Sequence, residues 1–409
     1  MSVRPEDTRY PAGRAFAWGL QHVLTMYGGI IAPPLIIGAA AGLDASQLGV
    51  LVTAALFVSG GATLLQALGL PGLGARLPLV QGVSFAGVAT MVTLVNGGGG
   101  LPVVFGAVIA SSLMPVAARW AMGGTPQMPG WGSPHHIGLA AATLMLVLLL
   151  NRVGNAAIKR LAVLLAIVAG TVIALLTGQA DFSAVVQGQW LALPGMFNFG
   201  RPVFDVAAIV SMTLIVLVLL AETTAGLLAI GDIIGSEVDG KRISRGLRAD
   251  MLTSAMAPLF NSFPQSAFAQ NIGLVAMTGV KSRFVVAAGG VILLLLGFLP
   301  LLGRVVASIP MPVLGGAGVV LFGTVAASGI RILAKVDYQD NMNLVIVATS
   351  IAFGMFPIVM PSFYDQFPGW VRTIFHSGIS AACLVSVTLN LIFNRVQDAR
   401  SEKAMDPKG

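Results

Sequence analysis

A single cysteine, Cys383, in 409 residues excludes an intramolecular disulfide and any multi-cysteine metal cluster, and its apolar surroundings read as packing. Charge is nearly as scarce. Only 10% of residues are Asp, Glu, Lys or Arg, against 56% hydrophobic and a mean hydropathy of +0.88, which excludes an ordinary water-soluble globule. A polytopic helical membrane protein is expected. No small-residue cleavage pattern follows the polar N-terminus MSVRPEDTRYPAGR, so residues 1–14 read as a retained cytosolic tail. The net charge of +7 does not point to nucleic acid, because the basic residues sit in short loops where the positive-inside rule accounts for them. Neither a metal nor a redox cofactor is expected.

What is present is a series of apolar runs near the roughly 20 residues needed to cross a bilayer. They lie at about 15–40, 47–69, 137–151, 161–178, 204–230, 284–302, 308–328, 342–360 and 371–394, and read as ordinary helices. Between them are shorter pieces interrupted by Gly and Pro, at 77–94, 101–118, 250–262 and 263–279. In 77–94 and 263–279 an extended stretch with a Pro and a Gln runs into Phe-Ala, at Phe85-Ala86 and Phe268-Ala269, and then into a Gly-containing apolar helix. Paired interruptions in two halves of a chain point to an inverted-repeat transporter with its site at the membrane midplane. Unwound backbone at that depth is tolerated only where it is buried in protein or lines a cavity.

The polar residues inside these spans are the candidates for chemistry. Glu222, in LVLLAETTAGLLAIG, has no basic neighbour one helical turn away, so its carboxylate is costly unless protonated or paired. Such an acid marks function by default, the alternative being a protonated group that ties two helices together. Asp250, in RGLRADMLTSAM, either serves function or pairs with Arg245 or Arg248. His22, alone on the first span, is more often a packing histidine than a ligand. Phe85 and Phe268 are core residues by pattern, and their place at the two breaks makes them candidates for stacking on a planar ligand. Gln270 and Asn271 present adjacent amides in hydrocarbon, and buried amides need partners. A ligand with alternating donors and acceptors would supply them.

Gln270-Asn271-x-Gly273-x4-Thr278-Gly279 resembles the signature of the nucleobase-ascorbate transporter family, also called nucleobase:cation symporter-2. Gln21-His22 with Pro33-Pro34 is similar to that family's first span, and Gln81-Gly-Val-Ser84-Phe85-Ala86 to its third. Glu222-Thr223-Thr224-x-Gly226 is similar to its eighth, and Arg248-Ala-Asp250 to its ninth. The resemblance covers nearly the whole chain. It implies an all-α membrane fold of seven-plus-seven inverted repeats, with two broken segments carrying short extended stretches and a split into core and gate domains. Here that division would place the core at 15–118 and 204–304, the gate at 119–203 and 305–394, and a cytosolic tail at 395–409. The implied activity is proton-coupled uptake of a nucleobase by a homodimer in the inner membrane, with both termini cytosolic.

By that resemblance Glu222 and Gln270 hydrogen-bond the base edge, Phe85 stacks on its face, and backbone amides near Phe85 and Ala269 complete the site. His22, Asp250 and Asn271 organise it, and Glu222 carries the coupling proton. Uracil members carry a carboxylate where this chain has Gln270. A neutral amide offers both donor and acceptor, which suits the edges of xanthine and uric acid. The small Ser84 leaves room for the extra 8-oxo group of uric acid. Other nucleobases, uracil among them, are the alternative substrates.

One departure concerns GLPVVFGAVIASSLMPVAARW, which stands where the family has its fourth and fifth spans. About one helical hairpin is missing there, so a transport-impaired member is a further alternative. If 101–118 re-enters rather than crosses, of the 23 Lys and Arg only Arg119, Arg201, Arg304 and Arg372 lie outside the cytosol. Charge therefore favours re-entry. Other functional classes fit less well. An anion exchanger would place basic residues at the breaks, yet none lies between Val80 and Val95 or between Asn261 and Val280. An intramembrane aspartyl protease needs a Gly-x-Gly-Asp motif, and Gly231-Asp232 has Ala229 at the required place. A channel is disfavoured by hydrogen-bonding groups suited to one planar ligand.

Overall fold

The computed structural model describes residues 4–84, 117–124, 130–185, 189–200, 204, 206–320, 323, 341–360, 362–368, 371, 375 and 378–395. Phe85, the helix expected after it and residues 101–116 lie outside the described residues. The described chain is helical apart from two short strands. In order it runs α1 (Ala12–Ala40), α2 (Ala45–Leu68), β1 (Gln81–Val83), α3 (Pro134–Val153), α4 (Ala156–Leu176), α5 (Val206–Ile234) and α6 (Gly240–Met256). Then follow β2 (Gln265–Ala267), α7 (Ala269–Thr278), α8 (Arg283–Leu296), α9 (Pro300–Ala307), α10 (Met311–Val320), α11 (Asn341–Val359) and α12 (Gly378–Asn390). Among the described residues five helices are long and apolar enough to cross a membrane, or six if the bent pair α8–α9 counts as one span.

Local sequence sets several of these boundaries. Asp44 caps α2 by accepting the Gln47 amide at 2.9 Å while the Gln47 side chain accepts the Asp44 amide at 3.0 Å, a reciprocal capping box. Gly69, at φ +71°, ends the same helix. Asp239 caps α6 through the Arg242 amide at 2.8 Å. Two expectations need correction. The run 284–302 is not one helix: α8 and α9 meet at 82°, because Pro300 lacks an N–H and disfavours helical backbone at the residue before it. The piece at 250–262 is the end of α6 followed by a 3-10 turn at Ala257–Phe260, and α6 begins at Gly240 in a charged stretch that an apolar pattern does not reveal.

The chain forms two compact units, the first made of Met1–Phe85, Ala117–Val203 and Leu219–Val320. In it, glycines let helices touch backbone to backbone. A Cβ at Gly19 would lie 2.7 Å from the Gly289 nitrogen, and one at Gly60 would lie 2.7 Å from the Gly290 oxygen, so α1 and α2 both press on α8. A buried cluster of Leu77, Leu79, Leu227, Ile230, Ile234, Ala267 and Val275 packs the segment before β1 against α5, β2 and α7. The second unit holds the start of α5, α11 and α12, with Phe356 and Phe363 stacked at 5.0 Å.

At one end of the first unit the N-terminal segment is tied down by charge. Glu6 pairs with Arg242 at 2.6 Å, and Arg242 also donates to the carbonyl of Ala75 at 2.8 Å. Asp7 pairs with Arg283 at 2.7 Å, and Arg283 reaches the Ala67 carbonyl at the end of α2. Arg76, Arg242, Lys281 and Arg283 therefore gather with the N-terminal segment at this end of the first unit.

Candidate functional site

The two strands come from distant parts of the chain and cross antiparallel, with Gln81 opposite Ala267, Gly82 opposite Ser266 and Val83 opposite Gln265. Side chains alternate between the faces of such a pair. On one face Gln265 accepts from Ser59 at 2.9 Å, and Thr63 bonds the backbone of Gln81 through its N–H at 3.0 Å and its carbonyl at 3.3 Å, anchoring both strands to α2. The other face looks towards Glu222 on α5. Ser84 Oγ donates to the Glu222 carboxylate at 3.2 Å, and the Ser266 hydroxyl is in range of the same group. The Glu222 carboxylate sits deep among protein atoms, although its side chain keeps accessible surface.

Asp250 is fully buried and accepts a hydrogen bond from Thr223 Oγ1. The same Thr223 oxygen accepts the Ala267 amide of β2 at 3.3 Å. The pairing with Arg245 or Arg248 raised from sequence is therefore replaced by a link from α6 through α5 to β2. Asp250 Oδ1 has no hydrogen-bond partner among the described residues.

The adjacent amides at 270 and 271 have separate surroundings. Asn271 is buried; its Oδ1 accepts the Val80 amide at 2.8 Å and its Nδ2 meets Nδ1 of the buried His22 at 3.1 Å. Gln270 is half-buried, and its side chain has no hydrogen-bond partner among the described residues. Ala269 opens α7, where the Asn271 amide donates to the Phe268 carbonyl at 3.0 Å, while the amides of Ala269 and Gln270 have no acceptor among the described residues and Phe268 provides no side-chain cap. Phe268 itself is 4% exposed, and its amide donates to the Val80 carbonyl at 3.0 Å. The structure thus brings Ser84, Glu222, Phe268, Ala269 and Gln270 to the crossing strands, with His22, Asp250 and Asn271 behind them; Phe85 lies outside the described residues. Sequence reading assigned no role to Thr223 or Ser266, although Thr223 lies in the motif quoted with Glu222. Ser266 becomes visible only through strand register.

A cavity of about 160 Å³ lies elsewhere, lined by Ser46, Thr53, Asn198, Phe260, Asn261 and Arg304 among others, and includes none of the residues around Glu222. Arg304 there donates to the carbonyls of Val185 and Gln189, both at 3.0 Å.

Five helices among the described residues long and apolar enough to cross a membrane, with a carboxylate set beside a strand pair, define an integral membrane protein. The chain belongs to the Permease family, whose Xan_ur_permease model matches residues 13–116 and 101–363, and so to the nucleobase:cation symporter-2 group that its motifs resemble. It is a permease and not an enzyme. It is 37% identical to the uric acid transporter UacT of Escherichia coli, over 94% of this chain and 87% of that protein. It is 35% identical to the uric acid permease PucK of Bacillus subtilis, over 93% and 95%. Against the xanthine permease XanP of Escherichia coli it is 30% identical, over 95% and 94%. Among solved structures, the transmembrane domain of the cyanobacterial bicarbonate transporter BicA superposes with a TM-score of 0.56 at 12% identity, over 93% of this chain and 99% of that one. SLC26A9 gives 0.56 at 13%, over 94% and 66%. At these identities the structures speak for the fold alone.

Proposed function

We propose that this permease carries an oxidised purine base, xanthine or uric acid or both, inward across the inner membrane together with a proton. The observation that carries the reading is the joint presence of the Glu222 carboxylate and the unpartnered Gln270 amide about one strand crossing. Glu222 accepts from ring N–H groups, Gln270 both accepts and donates, and the first amides of α7 favour carbonyl oxygens or a partial anion. An oxopurine edge alternates in the same way. The names of UacT, PucK and XanP support this substrate class.

Glu222 is the proposed proton carrier, its neutral form completing the site from outside and its charged form being restored inside. In this reading seven-plus-seven inverted repeats form a core and a gate, copies pair through the gate, and both termini are cytosolic.

A transport-impaired member is the second reading. The alignment with UacT runs over 420 positions, although 94% of 409 residues is about 384, so that protein has positions without a counterpart here. The two family matches also overlap at residues 101–116, where the hairpin is expected to be shortened. Radiolabelled xanthine and uric acid uptake in proteoliposomes, competed by uracil, hypoxanthine and ascorbate, tests both readings. Saturable uptake of either purine with weak competition by uracil is expected. Dominant competition by uracil moves the assignment to that base, and binding without flux favours the impaired member.

A further inference from the structure

We propose that Gly29 and Gly82 are specificity-determining positioning residues: their missing side chains form the slot that holds the Phe268 ring and, through it, sets where the Gln270 amide stands. The proposal deepens the proposed function and rests on it for the identity of the ligands. A Cβ at Gly29, on α1, would lie 2.7 Å from Phe268 Cε1, 3.2 Å from its Cζ and 3.9 Å from Gln270 Nε2. A Cβ at Gly82, on β1, would lie 2.7 Å from Phe268 Cδ2 and 3.1 Å from Cζ, and would overlap Cε2 outright. The tip of one buried ring is thus held from two elements at once.

Neither glycine is needed for its backbone. Gly29 and Gly82 are both absent from the residues with positive φ, so any residue fits their conformation, and a helix interior favours alanine over glycine. Space is what remains. The neighbouring Gly28 provides the contrast, because a Cβ there meets only Val163 Cγ1 at an ordinary 3.9 Å.

Displacement of the ring has few outlets. Phe268 is bonded through its amide to Val80, and Asn271 three residues on is clamped to Val80 and His22, so the backbone on both sides of Gln270 is held. A methyl at position 29 therefore crowds the ring and the Gln270 side chain beside it, with the backbone unable to relieve the contact. Discrimination between uric acid and xanthine, which differ by one oxo group, should change because overpacking acts at the wall nearest Gln270.

The test compares Gly29→Ala, Gly28→Ala and Gly29→Ala/Phe268→Leu in the full chain. Gly29→Ala should change the uric acid to xanthine ratio of kcat/KM by roughly tenfold, while Gly28→Ala stays within about twofold of the parent. Equal ratios in the two single variants overturn the slot. A parent that transports neither base defeats the proposed function and leaves the slot to be read from melting temperature in detergent. There Gly29→Ala should melt below Gly28→Ala, and Phe268→Leu, which removes the crowded ring edge, should recover much of the loss. Equal melting of both single variants, or no recovery in the double variant, overturns the slot whatever the substrate.

Discussion

Nδ1 of His22 and Nδ2 of Asn271 meet at 3.1 Å although 249 positions separate them. Because Asn271 Oδ1 already accepts the Val80 amide at 2.8 Å, its nitrogen is the donor, and His22 receives it with its ring hydrogen on Nε2. One of the two adjacent amides is thus a brace between α1, the entry to β1 and α7. The other, Gln270, has no hydrogen-bond partner among the described residues and is the one proposed to meet the ligand.

Asn271→Ala should strip partners from two buried groups, each at a cost of about 1–3 kcal/mol. A lower melting temperature in detergent and a higher KM for the transported base are expected. His22→Gln, which keeps an acceptor in range, should retain more of both than His22→Ala. Equal melting of the parent and Asn271→Ala would show that the brace carries no load.

Gln270→Glu exchanges a donor-acceptor amide for a group that only accepts when ionised. Affinity for xanthine and uric acid should fall by about 10–100-fold, since one buried hydrogen bond to the base is left unmade, and uracil should compete better. Competition curves for the three bases decide the matter, and unchanged purine curves remove Gln270 from the site.

Glu222→Gln mimics the protonated acid and removes its titration. Base binding should survive with a flattened pH dependence, exchange or downhill flux should persist, and accumulation should be lost. The measurement is uptake into proteoliposomes under an imposed pH gradient. Concentrative uptake by the variant would move coupling to Asp250 or His22.

At the N-terminal latch burial alone would raise the Glu6 carboxyl, but hydrogen bonds from Arg242, its own backbone amide and Ser236, with the Arg242 charge, more than offset it and hold the group below its ordinary 4.5. A carboxyl lowered by folding adds stability above its unfolded value, and that stability is lost as pH falls through the lower folded value. Glu6→Gln should therefore melt below the parent at neutral pH, with the gap closing below about pH 4.5. Melting curves in detergent across that range check this; a gap that stays constant at acid pH overturns it.

The ion pairs of Glu6 and Asp7 place residues 4–10 at the same end of the first unit as the α5–α6 turn. With re-entry at 101–118, that turn and the C-terminal tail share the cytosolic side. Glu237 is exposed beside the latched Ser236 and is the better labelling site. Glu237→Cys and Ser401→Cys, each in a Cys383→Ala background, should react with an impermeant maleimide from the same side. Labelling from opposite sides would make 101–118 a single crossing.

The membrane class, most span positions, the extended stretches at Gln81 and Gln265 and the candidates Glu222, Gln270 and Asn271 were legible because apolar run length and a polar group in hydrocarbon are local properties of the chain. Local sequence even contains the break at Pro300, although the apolar run hides it. Partnership is different. Asp250 lies two residues from Arg248 and yet bonds Thr223, because helix direction turns the carboxylate inward to α5. Ser266 faces Glu222 only through the register that sets it opposite Gly82, and Gly29 matters only because Phe268, far along the chain, fills the space beside it. Burial and hydrogen bonding are decided by which elements meet, so tertiary structure alone separates the amide that braces the fold from the neighbouring amide proposed for the ligand.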